Sequence, residues 1–520
     1  MEYLLLIIIF VPLLGAIASL FLGTPRFVAL VTAWTQLIVT VLLAGAFLTL
    51  PGAPGQFKLV HHLPLAPSLG LGLTTGVDGL SVMMLLLSAI VLVAAIYACP
   101  KGKIEGGSAG AYYACVLFIA AGAIGAFATL DLFFFYAFHE LALIPTFIMI
   151  ALWGQGEKED RMAVAWKTTI YLAVGGFVLL LGLLGLYWWG LPVGYVHSIP
   201  GSQEVSVDVV RTFDLTQIME MQRVHGSLVP EQHQGWIFLV LLAGFGTLIS
   251  LFPLHSWAPT AYASAPTPVT MLHAGVLKKF GLYGLLRIAL PLLPEGVKHY
   301  AWLVQILLIG NIIYIGLATI SQKRLDMMLG YSSVMHMGYI FLGLACYNSL
   351  GVSGAAMLMF AHGLSIALLF AIIGSLRDQV GGLEFSRLGG LAKKMPFLSV
   401  AFGIAAFASI GLPGFANFAS EIMVFFGAFQ AEFHVGAFNS HQITVVFALW
   451  GVVISAVYML RAYRKVFFGE LPDRFAALTE NSAAVYLPIG LLVLLLLVAG
   501  FYPQIVLQFI NDYTHYLVQP

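Results

Sequence analysis

Glu140, Lys278, Lys279 and Glu421 are charged residues set inside long apolar stretches, and His336 and His362 lie at similar depth in theirs. A charge at the centre of a bilayer costs about 2.5 to 3.5 kcal/mol on insertion scales, so such a residue has a partner, a water-filled cavity or a task. Glu140 closes the run Phe133-Phe134-Phe135-Tyr136-Ala137-Phe138-His139-Glu140. A carboxyl balanced there between burial and a nearby cation can take up and release a proton, whereas the plainer reading is a carboxylate pinned to a base to hold two helices together. His139 points about 100° away from Glu140 on a helix, so the two need not share a site. A buried lysine such as Lys279 can switch charge at modest cost, and an unpaired structural lysine would be hard to justify. His336 and His362 could simply be satisfied by backbone carbonyls. Haem ligation is the sharper rival, but it needs histidines about four turns apart on one helix, and His139, His273, His336 and His362 each lack such a mate.

The elements that position these groups are membrane helices. The chain has 520 residues, 60% hydrophobic and 9% charged, with a mean hydropathy of +0.97 and no net charge. A soluble surface carries roughly a quarter to a third charged residues, so a nucleic-acid binder, a cytosolic enzyme and a disordered scaffold are excluded. Cys99, Cys115 and Cys346 are too scattered for a disulfide framework or a metal cluster. One span needs about 20 apolar residues. Such segments fall near 3–22, 27–50, 79–98, 111–130, 132–152, 166–189, 235–252, 268–291, 301–320, 327–346, 352–376, 396–431, 442–467 and 485–507, which predicts an all-α polytopic membrane protein of about 14 transmembrane helices. Met1-Glu2 lacks the basic start of a signal peptide, so the first helix is expected to be retained.

Basic residues accumulate on the cytoplasmic side of a membrane. One alternate set of loops carries Arg26, Lys101, Lys103, Lys158, Arg161, Lys167, Lys323, Arg324, Arg377, Arg387, Lys393, Lys394, Arg461, Arg464, Lys465 and Arg474, 16 of the 23 Lys and Arg. The other carries Lys58, Arg211, Arg223, Arg287 and Lys298, which puts both termini outside, on the periplasmic side of an inner membrane or its organelle equivalent. The outer stretch 191–234, where Glu204, Asp208, Asp214, Glu220 and Glu231 outweigh two arginines, reads as a small extramembrane cap.

Helix 7 runs into Phe252-Pro253-Leu254-His255-Ser256-Trp257-Ala258-Pro259, and helix 12 is interrupted at Gly411-Leu412-Pro413-Gly414. Proline removes a donor and glycine loosens the turn, and in lipid such gaps survive only beside water or protein. Discontinuous helices in corresponding positions mark ion pathways. Helices 7 and 12 are five apart, an odd offset, so helices 4–8 and 9–13 are expected to form two inverted five-helix repeats. The expected division is 1–110 for helices 1–3, 111–291 and 301–467 for the repeats, and 485–520 for helix 14.

Gly76-Val77-Asp78-Gly79-Leu80-Ser81, His139-Glu140 with Pro145, Pro253 to Trp257, Gly284-Leu285-Leu286-Arg287, Tyr331 to Gly338, Ala361-His362-Gly363-Leu364-Ser365 and Gly411 to Gly414 together resemble the antiporter-like membrane subunits of respiratory complex I. The resemblance covers nearly the whole chain and is closest to the M-type subunit, chain four of the mitochondrial complex, because Glu421 stands where L-type and N-type subunits carry lysine. It implies a proton relay of Glu140, Lys279, His336, His362 and Glu421, supported by Lys167 and His255. It further implies an NADH-quinone oxidoreductase whose FMN, iron–sulfur clusters, NADH and quinone sit in partner subunits, with L-type and N-type chains as neighbours and no cofactor or metal here. One departure is Leu248, where the family usually has lysine. Lys278 is extra, and could turn towards Glu140 as a substitute partner. The charges of Gln322-Lys323-Arg324-Leu325-Asp326 are also ordered differently. A cation/proton antiporter subunit, a hydrogenase-type relative and a passive spacer are the alternatives.

Overall fold

In lipid a helix satisfies its own backbone while an open sheet does not, and the computed structural model is helical along nearly all of its length. It describes residues 3–518 except 53–54, 101–103, 105, 191–192, 199–204, 432–437 and 481–482. Lys101, Lys103 and Glu204, three of the charges used for orientation, lie outside the described residues.

The helices are α1 (Leu4–Phe21), α2 (Pro25–Thr49), α3 (Gly79–Tyr97), α4 (Ala109–Ala128), α5 (Leu132–Trp153) and α6 (Lys158–Trp189). After a short α7 (Leu215–His225) come α8 (Glu231–Ile249), α9 (Trp257–Ser264), α10 (267–292), α11 (Ala301–Ser321), α12 (Leu325–Ala345) and α13 (Ser349–Val380). The chain ends with α14 (Pro396–Ile410), α15 (Ala416–Gln430), α16 (Ser440–Phe467), α17 (Ala483–Phe501) and α18 (Gln504–Val518). Among the described residues 11 helices are long and apolar enough to cross a membrane, or 12 with the bent pair Tyr486–Phe501 and Gln504–Asn511 taken as one span. The other two expected segments, 268–291 and 396–431, are interrupted: π turns divide α10, and 411–415 separates α14 from α15.

Burial grades the helices from centre to lipid. The α13 span is 100% buried and those of α3, α4 and α12 are 89–94% buried, against 39% for α1 and α2. The centre of the molecule is therefore the helix that carries His362. Close approach there depends on small residues: a Cβ on Gly363 of α13 would come within 2.8 Å of the Gly275 carbonyl of α10. This brings the His362 helix against the lysine helix.

Two antiparallel hairpins depart from the expected helices. β1 (Lys58–Ala66) pairs with β2 (Leu71–Val77), and β3 (Val193–Ser198) with β4 (Val205–Val210), the latter lying, like α7, within the stretch 191–234. The first hairpin, the α4–α5 turn and the approach to α7 meet on one face through the bridges Thr75 to Thr129 and Asp131 to Asp214. Asp131 and Asp214 also cap α5 and α7, accepting from the backbone of Phe133, Phe134, Thr216 and Gln217. On the opposite face Gln155 meets Ser264, Arg324 bridges to Glu384, and Asp326 is held by Arg324 and Arg377.

Two basic residues are not the loop charges the sequence suggested. Arg287 is a buried member of α10, and Lys167 stands within α6, nine residues past its start, with its ammonium on the Ser256 carbonyl at 2.8 Å. The expected segment 268–291 already contained Arg287, and 166–189 contained Lys167, so the helix bounds stand and only the count of loop charges changes.

Candidate functional site

Both broken spans end in the same way. At α14, Gly411 adopts φ +82°, its N–H donates to the Ala408 carbonyl and the Leu412 N–H reaches back to Phe407. At α8, Ser250 adopts φ +64°, its N–H donates to Thr247 and the Leu251 N–H to Gly246. This is the Schellman pattern, which satisfies two of the helix's orphan carbonyls and leaves its last two open. The break at α14 thus leaves the Ser409 carbonyl to a side chain, whereas at α8 the Ile249 carbonyl accepts from the Ser250 hydroxyl.

His336 of α12 uses one of them. Its Nε2 lies 2.8 Å from the Ser409 carbonyl at the end of α14, and its Nδ1 lies 2.8 Å from the Ser332 carbonyl. A neutral imidazole has one N–H, so only the doubly protonated ring donates to both carbonyls. Two carbonyl acceptors therefore face one ring. The His362 ring lies 5.5 Å away between centroids, and Lys279 Nζ lies 3.1 Å from His362 Nδ1.

The lysines owe their places to a π turn at His273–Leu277. The ladder slips by one residue there, and the Ala274 carbonyl within it accepts from Lys279 Nζ at 2.6 Å. Lys278, also fully buried, takes a different direction: its Nζ donates to Ser333 of α12 at 3.3 Å and stands 5.2 Å over the Tyr262 ring. Among the described residues neither lysine has a carboxylate within ion-pair distance.

The carboxylates lie at the two ends of this chain of bases. Glu421 is buried in α15 with Oε2 against Gly411, where a Cβ would come within 2.3 Å of it, and Oε1 has no hydrogen-bond partner among the described residues. Pro413 and Gly414 complete the gap that makes this approach possible. Glu140 of α5 packs over Gly176 of α6, and its Oε1 lies 3.5 Å from His139 Nδ1. His139 therefore does share the Glu140 site, because the carboxylate folds back along its own helix. Lys278 makes no ion pair with Glu140 and instead lines a small cavity with His139, His273 and Leu248. At the other break, Pro253 follows Phe252 by a cis bond, the Phe252 N–H donates to Asn311 and the His255 ring lies near Phe252 and Tyr314.

A second buried cluster was present in the quoted motifs but unpaired in the sequence reading. Arg287 donates from two nitrogens to Asp78 at 2.5 and 2.6 Å, and to Ser81 at 3.1 Å, with the Tyr283 and Tyr513 rings packed against the guanidinium. The bidentate geometry satisfies both ions, which is the condition for a buried pair to be tolerated. It ties the start of α3 to the end of α10. His273, whose Nε2 lies 2.6 Å from Thr146 Oγ1, was also passed over. No spacing signals it, because only the π turn at His273–Leu277 brings it to the side of Lys278. No group of three or more metal-ligating side chains occurs among the described residues.

Comparison with known proteins gives this arrangement its relatives. The family model described as NADH:quinone oxidoreductase/Mrp antiporter, TM, matches residues 129–448, from the turn before α5 into α16. The chain belongs to this family. It is 33% identical over 505 residues to F(420)H(2) dehydrogenase subunit M of Methanosarcina mazei, covering 96% of this chain and 95% of that one. It is 31% identical over 520 residues to NAD(P)H-quinone oxidoreductase chain 4 of Acaryochloris marina, covering 98% and 91%. In structure it matches a chain of respiratory complex I from Thermus thermophilus with a TM-score of 0.82 at 26% identity, covering 99% of this chain and all of that one. A chain of the Mrp complex from Dietzia shares the fold, with a TM-score of 0.81 at 20% identity. The antiporter-like chain described here is thus a multi-pass membrane protein of the M type.

Proposed function

We propose that this chain is a proton-translocating subunit in the membrane arm of a quinone-reducing respiratory complex. The observation that carries the reading is the buried succession Lys279, His362 and His336, joined by a hydrogen bond and a ring contact, with His336 seated on the Ser409 carbonyl at the end of α14 and Glu421 packed against Gly411 two residues further on. Glu140, with His139, stands at the other end, and Lys167 and His255 flank the α8–α9 break. Such a row moves protons by switching charge at each station, and it requires no redox group in this chain. Flavin, iron–sulfur and quinone chemistry belongs in this reading to partner subunits, with L-type and N-type chains beside it. Fourteen crossings arranged as inverted repeats 111–291 and 301–467 are part of the same proposal, supported by the matching ends of α8 and α14. So are an outer location for the hairpin face and for both termini, in an inner or organelle membrane.

The test is Glu140→Gln in the intact complex, which keeps the shape and removes the titrating proton. The assembled complex should persist on a native gel while proton pumping per electron pair falls several-fold. Normal pumping would make Glu140 structural. For the electron donor, NADH is the first reading, and the similarity to an F(420)H(2) dehydrogenase subunit favours F(420)H(2) as the second. Oxidation rates of the two donors by the isolated complex decide between them.

A further inference from the structure

Among the described residues Glu140 makes no ion pair with a lysine; its neighbour is His139, which lines one cavity with His273 of α10. His139 Nδ1 and Glu140 Oε1 face each other at 3.5 Å, and neither has a hydrogen-bond partner among the described residues. The His139 ring stacks on Phe280 of α10 at 4.5 Å. With His273, Lys278 and Leu248 it lines a cavity of about 20 Å³, and a single water needs about 10 to 15 Å³.

His273 and Lys278 reach the same cavity because of the π turn. In a regular helix residues five apart face about 140° away from each other, and the wider turn closes that angle, with the Lys278 N–H bonded to the His273 carbonyl. The Thr146 hydroxyl donates to the Ala142 carbonyl at 2.7 Å, so its oxygen accepts from His273 Nε2 at 2.6 Å. That fixes the neutral tautomer and leaves Nδ1 as the nitrogen that can take a proton.

We propose that His139 and His273 are a proton station linking Glu140 to Lys278 through one water, in place of a lysine at Leu248. This rests on the reading of Glu140 as a relay group. Glu140 gives its carboxyl proton to His139 Nδ1, and the imidazolium releases its Nε2 proton to the cavity water. The water hands a proton to His273 Nδ1, which returns it through the same water to the neutral Lys278 amine, leaving an ammonium held by Ser333. Only O–H and N–H bonds form and break, and no electrons are exchanged.

The experiment uses the intact complex in sealed membrane vesicles, driven by its electron donor, with proton pumping read by a pH-sensitive acridine dye and normalised to quinone reduced. The double variant His139→Phe/His273→Leu should lose at least two thirds of its pumping, and adding Leu248→Lys to it should recover at least half of the loss. A purely structural role for the histidines would not be rescued by a new lysine, so absence of rescue overturns the proposal. Should the double variant fail to assemble, His273→Asn, which keeps a donor for Thr146 but cannot titrate in this range, is measured alone. Wild-type pumping in it, or in the double variant, also overturns the proposal. Glu140→Gln is run beside them. If it too pumps normally, the relay reading itself has failed, whereas impaired Glu140→Gln beside normal histidine variants sinks only the station proposed here.

Discussion

Asp131 on the hairpin face shows how one carboxyl couples structure to pH. Burial, reinforced by the charge of Asp214, pushes it up from 3.8 to about 7 against the opposing backbone N–H groups of Phe134, Gly72 and Phe133. Between these two values the folded chain holds a proton that the unfolded chain has lost, so stability falls as pH rises from about 4 to about 7 and is level above that. Asn caps a helix as well as Asp does. Asp131→Asn should therefore flatten this slope and raise the melting temperature of the detergent-solubilised complex by several degrees at pH 8, with little change at pH 4.5, in a scan read by intrinsic fluorescence. For the buried stations the same logic gives a coupling. Lys279 and Glu421 act on one another through the two histidines in a low-dielectric path. Lys279→Met and Glu421→Gln should each slow coupled turnover, and the double variant should lose less than the product of the two factors. Strictly multiplicative losses would mean that the stations do not communicate. Glu140, Lys279 and Glu421 were legible in the sequence because a charge inside an apolar run needs a reason. The Asp78–Arg287 pair and the roles of His139 and His273 were not, because they depend on contacts between residues from a handful to two hundred positions apart.

At the scale of the element, the breaks matter more than the helices. Pro253, Pro413 and Gly414 announce them in the sequence, but the gain comes from the left-handed residues Ser250 and Gly411, which end each helix so that a last carbonyl is left to a side chain, Ile249 to Ser250 and Ser409 to His336. Gly411 has a double duty, since its missing side chain leaves room for the Glu421 carboxylate. Gly411→Ala would meet both the left-handed backbone cost, about 1 to 2 kcal/mol, and the Glu421 oxygen. Gly414, at φ +97° with its nearest neighbour 3.4 Å from a Cβ, carries the backbone cost alone. Both variants should lower thermal stability by a similar amount, but Gly411→Ala should depress proton pumping at least threefold further than Gly414→Ala. Equal pumping in the two would show that the position of Glu421 is not set by this glycine. The π turn of α10 is the element that no periodicity foretold: its residues are as apolar as a regular helix requires, and the slip that aims Lys278 and Lys279 at different partners is stabilised by contacts with α12 and α13.

For the whole molecule, the apolar runs placed nearly every helix, and the loops they left sort by charge. The hairpin β1–β2 was not foreseen because one of its strands crosses His61-His62-Leu63-Pro64, and a proline within a run argues against a strand. The structure nevertheless draws that hairpin, the α4–α5 turn and the start of α7 onto a single face, while Arg324, Glu384 and Arg377 gather on the other. On the positive-inside rule the second face is the one proposed to be cytoplasmic. All three cysteines, Cys99, Cys115 and Cys346, are buried, so the natural chain offers little background to a thiol reagent. Single cysteines at the exposed positions Glu159 and Lys393 on one face, and at Leu63 and Val224 on the other, are therefore a direct reading of orientation. In right-side-out vesicles a membrane-impermeant maleimide should label Leu63→Cys and Val224→Cys at once, and Glu159→Cys and Lys393→Cys only after the membrane is opened. The reverse pattern would invert the chain and with it the direction assigned to the relay. Labelling of Leu63→Cys and Val224→Cys from opposite sides would break the hairpin face itself and overturn the topology on which both repeats depend.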